Sequence, residues 1–516
     1  MSSLSEVAVL IVGAGPTGLT LACDLARRKV DFRIVDKAPA YFAGSRGKGL
    51  QPRSLEVLDD LGIIHRILPH GRFHLPIRAY DGATILGDRD LYEGRPSTPD
   101  VPYASPLLLP QCRVEETLRQ LLERHGAQVE LATELTWIDQ DENGVTATTL
   151  HRSGVKEQIR CQYLVAADGG RSFVRKFMKF GFEGETWKNA RMFVGDVCLD
   201  GLDRDHWHTW PNHPAGWLGL CPLPSSKSFQ FQAAITSNVD EEPSLETFQR
   251  IADERTGRSD LRLYHPTWLS LYQVNIRMVD RYRAGRVFLA GDAAHVHTPA
   301  GGQGMNTGIQ DSYNLGWKLG LVLDGANPLL LDTYEEERLP VAASVLGIST
   351  RLSREFQANG NHLPRSSATL QLGINYRNSS LSTREATSPL SVEAGDRAPD
   401  GPLVDEHGNR LRLFDLFRGP RFTLLSIGAT DTEPLNSLSQ RYEEILGAYA
   451  IHRRSPQERA SHKILIEDGG HVSQAYGVKD HALVLIRPDG YIGWLGESNC
   501  IAAAESYLDA ARSGRQ

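Results

Sequence analysis

The chain has 516 residues, length enough for about three domains, and 41% of them are hydrophobic against 23% charged. This composition excludes a small scaffold that depends on staples and a chiefly disordered chain. Lys and Arg total 56 against 63 Asp and Glu, a net charge of −7 with no long basic run, which excludes non-specific nucleic-acid binding.

The first apolar run, residues 7–12, is too short for a secretory or membrane segment, and no later stretch reaches the ~18 apolar residues that a spanning helix needs. Cys23, Cys112, Cys161, Cys198, Cys221 and Cys500 are scattered, with no C-x-x-C pair and no metal-ligand spacing. Reduced, cytoplasmic chemistry is the expectation, with no membrane partner.

Residues 6–36 alternate strand, glycine turn, helix and strand, which is a βαβ unit: 7–12, then G-A-G-P-T-G, then an apolar stripe at Leu19, Ala22, Leu25 and Ala26, then 32–35. Helices are predicted over 53–61 and 114–124, and strands over 129–168 with a turn at Asn143-Gly144. From 187 to 275 the texture becomes β-like and aromatic, with Trp187, Trp207, Trp210, Trp217 and Trp268. The βαβ signature returns at 286–291, followed by a Leu- and Gly-rich helix over 305–323, so the first domain is discontinuous. Residues 352–395 are polar and read as a helix end and a linker. Strands at 421–427, 462–466, 482–486 and 491–494 then mark a separate α/β module.

Gly13, Gly15 and Gly18 form G-x-G-x-x-G between a buried-type strand and a helix, and Asp36 ends the next strand. The first glycine permits the tight turn, the second lets backbone approach a pyrophosphate, and the third lets helix and strand pack closely, while the helix N-terminus favours the anion. Asp36 is placed to accept hydrogen bonds from ribose hydroxyls. This fingerprint alone does not separate the dinucleotide cofactors.

The run from Arg286 to Asp311, R-V-F-L-A-G-D-A-A-H-V-H-T-P-A-G-G-Q-G-M-N-T-G-I-Q-D, resembles the second FAD motif of the class A flavoprotein aromatic hydroxylases. The resemblance implies that Asp292 binds the ribityl chain. It also implies that Pro299, Gly301, Gly302, Gly304, Met305 and Asn306 form the loop along the isoalloxazine ring, where glycine admits close backbone approach. The helix that follows favours negative charge on the reduced flavin. Asp168-Gly169-Gly170-Arg171-Ser172 with Val174 and Arg175 resembles the family's D-G-x-x-S element, associated with FAD and NAD(P)H, and Arg46 and Gln111 match flavin-contacting positions.

The resemblance extends over residues 7–340, and the tail resembles the thioredoxin-like C-terminal domain of phenol, pentachlorophenol and polyketide hydroxylases. The tail has no C-x-x-C; where a redox pair would sit the sequence is G-A-T-D-T-E-P, which excludes dithiol chemistry. The implied fold is α/β. An FAD-binding Rossmann-like domain (1–186 and 276–351) carries an inserted β-rich substrate domain (187–275, joined by 76–105). A linker (352–395) leads to the thioredoxin-like domain (396–516).

The implied function is an FAD-dependent monooxygenase that uses NADPH or NADH and O2 to hydroxylate a small phenolic substrate through a C4a-hydroperoxyflavin. The implied assembly is a homodimer, and the setting is phenol degradation or biosynthesis. A polycyclic polyketide or antibiotic is the alternative substrate, and a non-catalytic flavin redox sensor is the alternative of another class. A halogenase predicts W-x-W-x-I-P, whereas this chain reads Trp207-His208-Thr209-Trp210-Pro211.

Some phenol hydroxylases carry an acid just before the Gly-Leu-Gln that follows the flavin arginine. Here that position is Lys48, so the base is unassigned, with Lys48 and Arg46 the groups at hand. Lys48 is expected to be solvated. Trp207, Trp210, Trp217, Phe229 and Tyr272 are expected at the substrate, since pockets are lined by aromatic side chains. His295 and His297, and the His206, His208 and His213 group, lack the company of a metal site, and none is expected.

Overall fold

The computed structural model describes residues 4–90, 96–235, 241–359, 367–386, 389–428, 433–453, 464–497 and 500–513. The first sheet is built on Leu4–Val12, with Lys156–Ala166 on one side and Phe32–Val35 on the other, all parallel, and Val287–Leu289 outside Lys156–Ala166. Val9, Leu10, Ile11, Leu164, Val165 and Phe288 are fully buried, as strands covered on both faces require. The helix Pro16–Arg27 crosses between the first two strands and packs against Gln111–Arg124 and the 20-residue helix Gly304–Leu323. Gly308 and Gly316 let that long helix approach, because a Cβ there would lie 2.4 Å from Thr17 Oγ1 and 2.3 Å from Asp24 Oδ2 respectively.

The second sheet runs from His295–Val296 through Arg262–Met278, Glu183–Asp200, Ser228–Ile235, Leu218–Pro222 and Trp207–Trp210 to the hairpin Ile77–Asp81 and Thr84–Arg89. The helix Leu245–Thr256, capped by Ser244 accepting from Thr247 N–H, covers one face through Phe248, Ile251 and Ala252. The strand Leu4–Val12 thus belongs to one layer and the aromatic β segment to another, joined at the 167–183 and 278–287 crossings.

The third sheet is mixed, ordered Thr383–Arg384, Ile492–Gly496, Ala482–Ile486, Phe422–Ile427, Leu446–His452, Ile464–Glu467, Pro402–Val404 and Arg410–Arg412. Two features depart from the predicted linker. The helix Asp332–Asn359 runs past 351, and Thr383–Arg384 pairs with Trp494 and Leu495 and so joins the C-terminal sheet, while Ala386 and Val392 lie in its core. Most of the G-A-T-D-T-E-P segment, residues 429–432, lies outside the described residues.

Candidate active site

The strands of the first sheet are in register at their C-terminal ends: Val12 pairs with Ala166 and with Val35, and Ala166 with Leu289. One edge therefore receives Gly13, Asp36, Asp168 and Asp292, the edge at which open α/β sheets bind ligands. Gly13 has φ +104°, and a Cβ on Gly18 would lie 1.9 Å from Gly13 O, so neither position admits another residue without a shift. Gly15, the N-cap of Pro16–Arg27, has nothing within 4 Å of its Cβ position. Asp36 accepts from the N–H groups of Ala14 and Ala38, each at 2.8 Å, which fixes its carboxylate beside the glycine turn.

Asp168 Oδ2 accepts from Phe173 N–H (2.7 Å), whereas its Oδ1 is buried without a partner, and burial raises its pKa. Arg175 is buried and donates to Ala293 O (2.8 Å) and Gly170 O (2.7 Å), so it ties this element to the turn that presents Asp292. Asp292 itself is exposed.

Two loops meet in front of this edge. In 299–306, Gly301 and Gly302 have φ +85° and +64°, and the chain then enters Gly304–Leu323. Asn306 is fully buried: its Oδ1 accepts from Gln51 N–H (2.7 Å) and its Nδ2 donates to Gly49 O (2.9 Å) and Gly302 O (2.8 Å). Its amide is engaged by the loops themselves, so its role is to lock them together. In 42–51, Gly47 lies against Gln111 and Met305, whose Oε1 and Sδ are 3.2 and 3.7 Å from its Cβ position. Gln111 N–H donates to Gly47 O (2.9 Å), and Gly47 N–H donates to Gln111 Oε1 (3.1 Å). Arg46 is exposed, with its guanidinium 4.8 Å from the Phe42 ring centroid, and Pro299 is exposed.

The expected substrate aromatics divide by strand parity. Trp207 and Trp217 flank Gly219, 3.3 and 3.0 Å from its Cβ position. Tyr272 donates to His297 O (3.3 Å), and burial raises its phenol pKa. These three lie on the face toward the loops. Trp210 and Phe229 do not: both are about 1% exposed and sit in the core beneath Leu245–Thr256, where Trp210 stacks on Tyr80 at 4.7 Å and donates to Gly82 O. A side-chain period of two sends them to the opposite face from Gln230 and Gln232.

Lys48 also departs from expectation. Rather than standing in solvent, it donates to Gln232 Oε1 (2.9 Å) and lies 4.0 Å from the Trp207 ring centroid. The histidines are committed to protein partners. His295 Nε2 meets Asp311 Oδ2 (2.7 Å), His208 bonds Tyr80 and Asp203 O, and His297 Nδ1 faces Thr298 O (2.8 Å). Sequence reading missed Asp196 and Gln230, which hold the 42–48 loop from the sheet.

Residues 6–349 match the family model described as FAD binding domain, and residues 391–513 match the one described as aromatic-ring hydroxylase, C-terminal. The chain belongs to the class A FAD-dependent aromatic hydroxylases. It is 44% identical over 497 residues to a flavin-dependent monooxygenase of Mycobacteroides abscessus, covering 95% of this chain and 97% of that one. It is 32% identical to pentachlorophenol 4-monooxygenase of Sphingobium chlorophenolicum, covering 95% and 93%. Among solved structures, aklavinone-11 hydroxylase in complex with FAD and aklavinone superposes with a TM-score of 0.82 at 26% identity, covering 99% of both chains.

The site of this hydroxylase fits FAD on its own atoms. The turn at Gly15 is open, Asp292 is an exposed carboxylate with His297 Nε2 near it across the Gly304 Cβ position, and Asp168 Oδ1, Gln51 Oε1 and His297 Nε2 are buried polar atoms without a protein partner. The enzyme is a flavin-dependent monooxygenase. Among the described residues no helix is long and apolar enough to cross a membrane.

Proposed function

We propose that this monooxygenase hydroxylates a phenolic aromatic compound, with NAD(P)H as reductant and O2 as oxygen donor. The observation that carries the substrate class is Lys48. It is a cation placed beside the Trp207 ring on the loop-facing side of the substrate sheet, two residues from Arg46 and adjacent to the Gly47 that lies against Met305. A fixed ammonium near an aromatic wall favours the ionised phenol, whose ring is the more electron-rich.

In this reading the 13–18 turn and the N-terminus of Pro16–Arg27 hold the pyrophosphate. Asp36 takes ribose hydroxyls and Asp292 the ribityl chain. Backbone at Pro299, Gly302, Gly304 and Met305, together with Arg46 and Gln111, would hold the flavin ring. FAD, when bound, supplies the oxygen-transfer chemistry. Trp207, Trp217 and Tyr272 exclude water and orient the substrate ring. A guanidinium has no acceptor to offer a phenol proton, so Arg46, like Lys48, acts on the anion by charge. A homodimer in the cytoplasm is the proposed state.

The test is NAD(P)H oxidation by the FAD-loaded enzyme against simple, halogenated and nitrated phenols and fused polycyclic phenols, with product mass and peroxide recorded. A product heavier by one oxygen, with oxidation stimulated by a phenol, supports the reading. Stimulation confined to fused polycyclic compounds transfers it to the polyketide class, to which the aklavinone complex lends weight. No stimulation by any phenol would sink it.

A further inference from the structure

We propose that Asp196 and Gln230, paired across neighbouring strands of the substrate sheet, are positioning residues for the loop that carries Arg46 and Lys48, gripping it by the backbone of Ser45. The two residues are register partners on Glu183–Asp200 and Ser228–Ile235. Ser45 N–H donates to Asp196 Oδ2 at 2.6 Å, and Gln230 Nε2 donates to Ser45 O at 2.5 Å. One residue of the loop is therefore held through both its donor and its acceptor.

The surroundings show that this is a built grip. Asp196 is 3% exposed and Gln230 1%, and a β-bulge between Asp196 and Cys198 marks the strand there, as often beside active sites. Trp268, opposite Asp196 in the next strand, closes over the loop, since a Cβ on Gly44 would lie 2.0 Å from its indole. From the flavin side, Ser45 Oγ accepts from Gln111 N–H at 2.8 Å. The loop is thus fastened to the substrate sheet at one surface and to the FAD-binding domain at the other, so the hold on Ser45 sets where Arg46 and Lys48 stand.

The carboxylate form matters because a charge-assisted bond is stronger than a neutral one. Burial pushes the Asp196 pKa up to about 6, against the opposing pull of Ser45 N–H, the Trp268 indole and Lys48. Its other titratable neighbours are the thiols of Cys112 and Cys221, both themselves pushed up by burial. Protonation near that pH weakens the grip.

The inference rests on the assignment of the 42–48 loop to the flavin, so the experiment separates the two. In the full-length protein, tryptic cleavage after Arg46 or Lys48 reads the loop's hold, and FAD affinity from flavin fluorescence, measured from pH 5 to 8, reads its effect on the cofactor. Asp196→Asn and Gln230→Ala are expected to be cleaved at least fivefold faster at these bonds, with thermal midpoints no lower than 3 °C below the parent. The parent's FAD affinity is expected to fall severalfold as pH drops through about 6, and Asp196→Asn to lose that step. Parental cleavage rates in both variants, or a retained step in Asp196→Asn, overturn the positioning role. Faster cleavage with FAD affinity unmoved in these variants and in Arg46→Ala upholds the grip on the loop and overturns instead the assignment of that loop to the flavin.

Discussion

Arg487, in the C-terminal domain, forms a two-pronged ion pair with Glu337 on the helix Asp332–Asn359, with Nη1–Oε1 2.5 Å and Nη2–Oε2 2.9 Å and both side chains fully buried. Asp489 joins Arg487 and accepts from Trp317 Nε1 (3.1 Å), while Glu337 also takes Lys318 Nζ (2.7 Å). Arg487 and Lys318 together hold the Glu337 carboxyl well below the usual carboxylate range. Burial, only partly offset by Glu337, brings the Lys318 ammonium down to about 8. Removing one member of such a group strands buried charge, so Glu337→Ala is expected to lower stability by about 3–5 kcal/mol in chemical denaturation. A loss below 1 kcal/mol would show that the network is not sustained in solution.

The same contacts bear on truncation. Deleting 396–516 removes Arg487 and Asp489 and bares Trp317, which packs in one cluster with Phe422, Leu424 and Trp494. It also leaves Asp59 without Arg412 and Arg418, and Glu56 without Arg397. The truncated chain is expected to be insoluble or poorly folded, as judged by soluble yield and near-ultraviolet circular dichroism. A folded, flavin-retaining fragment would refute this.

At the cofactor edge, Asp292→Ala is expected to leave the fold intact and weaken FAD retention by tenfold or more, because an exposed carboxylate is lost without opening a cavity. Gly18→Ala has the opposite signature. Its methyl meets Gly13 O, and it is expected to cost about 1–3 kcal/mol or more of stability along with FAD. Equilibrium dialysis of FAD paired with thermal melts separates the two.

Lys48→Met keeps the stem against Trp207 and deletes the charge. With a phenol substrate, kcat/KM is expected to fall about tenfold at neutral pH, consistent with ~1.4 kcal/mol of lost anion stabilisation, and to recover as pH rises toward the free phenol's pKa. A uniform loss at all pH values would assign Lys48 to packing alone.

Asp196 gives a pH-dependent stability of defined sign. Its folded pKa of about 6 lies above the unfolded value, so protonation contributes stability that is fully present below about pH 4 and is lost as pH rises through 6. Asp196→Asn should therefore gain on the parent as pH is raised from 4.5 to 7.5, by up to about 3 kcal/mol. A variant-minus-parent difference that does not change with pH would refute the raised pKa.

The cofactor edge was legible because its signals are local: a glycine spacing, a strand before it, a helix after it, and Asp36 one βαβ unit on. The substrate face was not. Both faces of that sheet are covered, one by Leu245–Thr256 and one by the loops, so aromatic content cannot say which way Phe229 and Trp210 point. The alternation Phe229, Gln230, Phe231, Gln232 held the answer, since a strand with amides at every second position must send them to a polar partner. Asp196 carried no sequence signal at all. Its partner is Ser45, 151 residues away, and an isolated acid between Gly195 and Val197 looks like any exposed strand residue. The two-residue strand Thr383–Arg384 is likewise too short to register as a pattern, and its place is set by the edge it joins.

The substrate sheet is stitched from three separate lengths of chain, the shortest being His295–Val296 at one edge. Ile77–Asp81 and Thr84–Arg89 form its far border, with Ile77 paired to Trp207, while the larger piece, Glu183–Met278, leaves after Ala166 and returns before Val287, on adjoining strands of the cofactor sheet. Exit and return side by side make the larger piece exchangeable in the manner of a cassette. The border hairpin does not travel with it. Recombination between relatives that moves only the larger piece would pair a foreign Trp207 strand with a resident edge, so chimeras that transplant substrate preference need both crossovers.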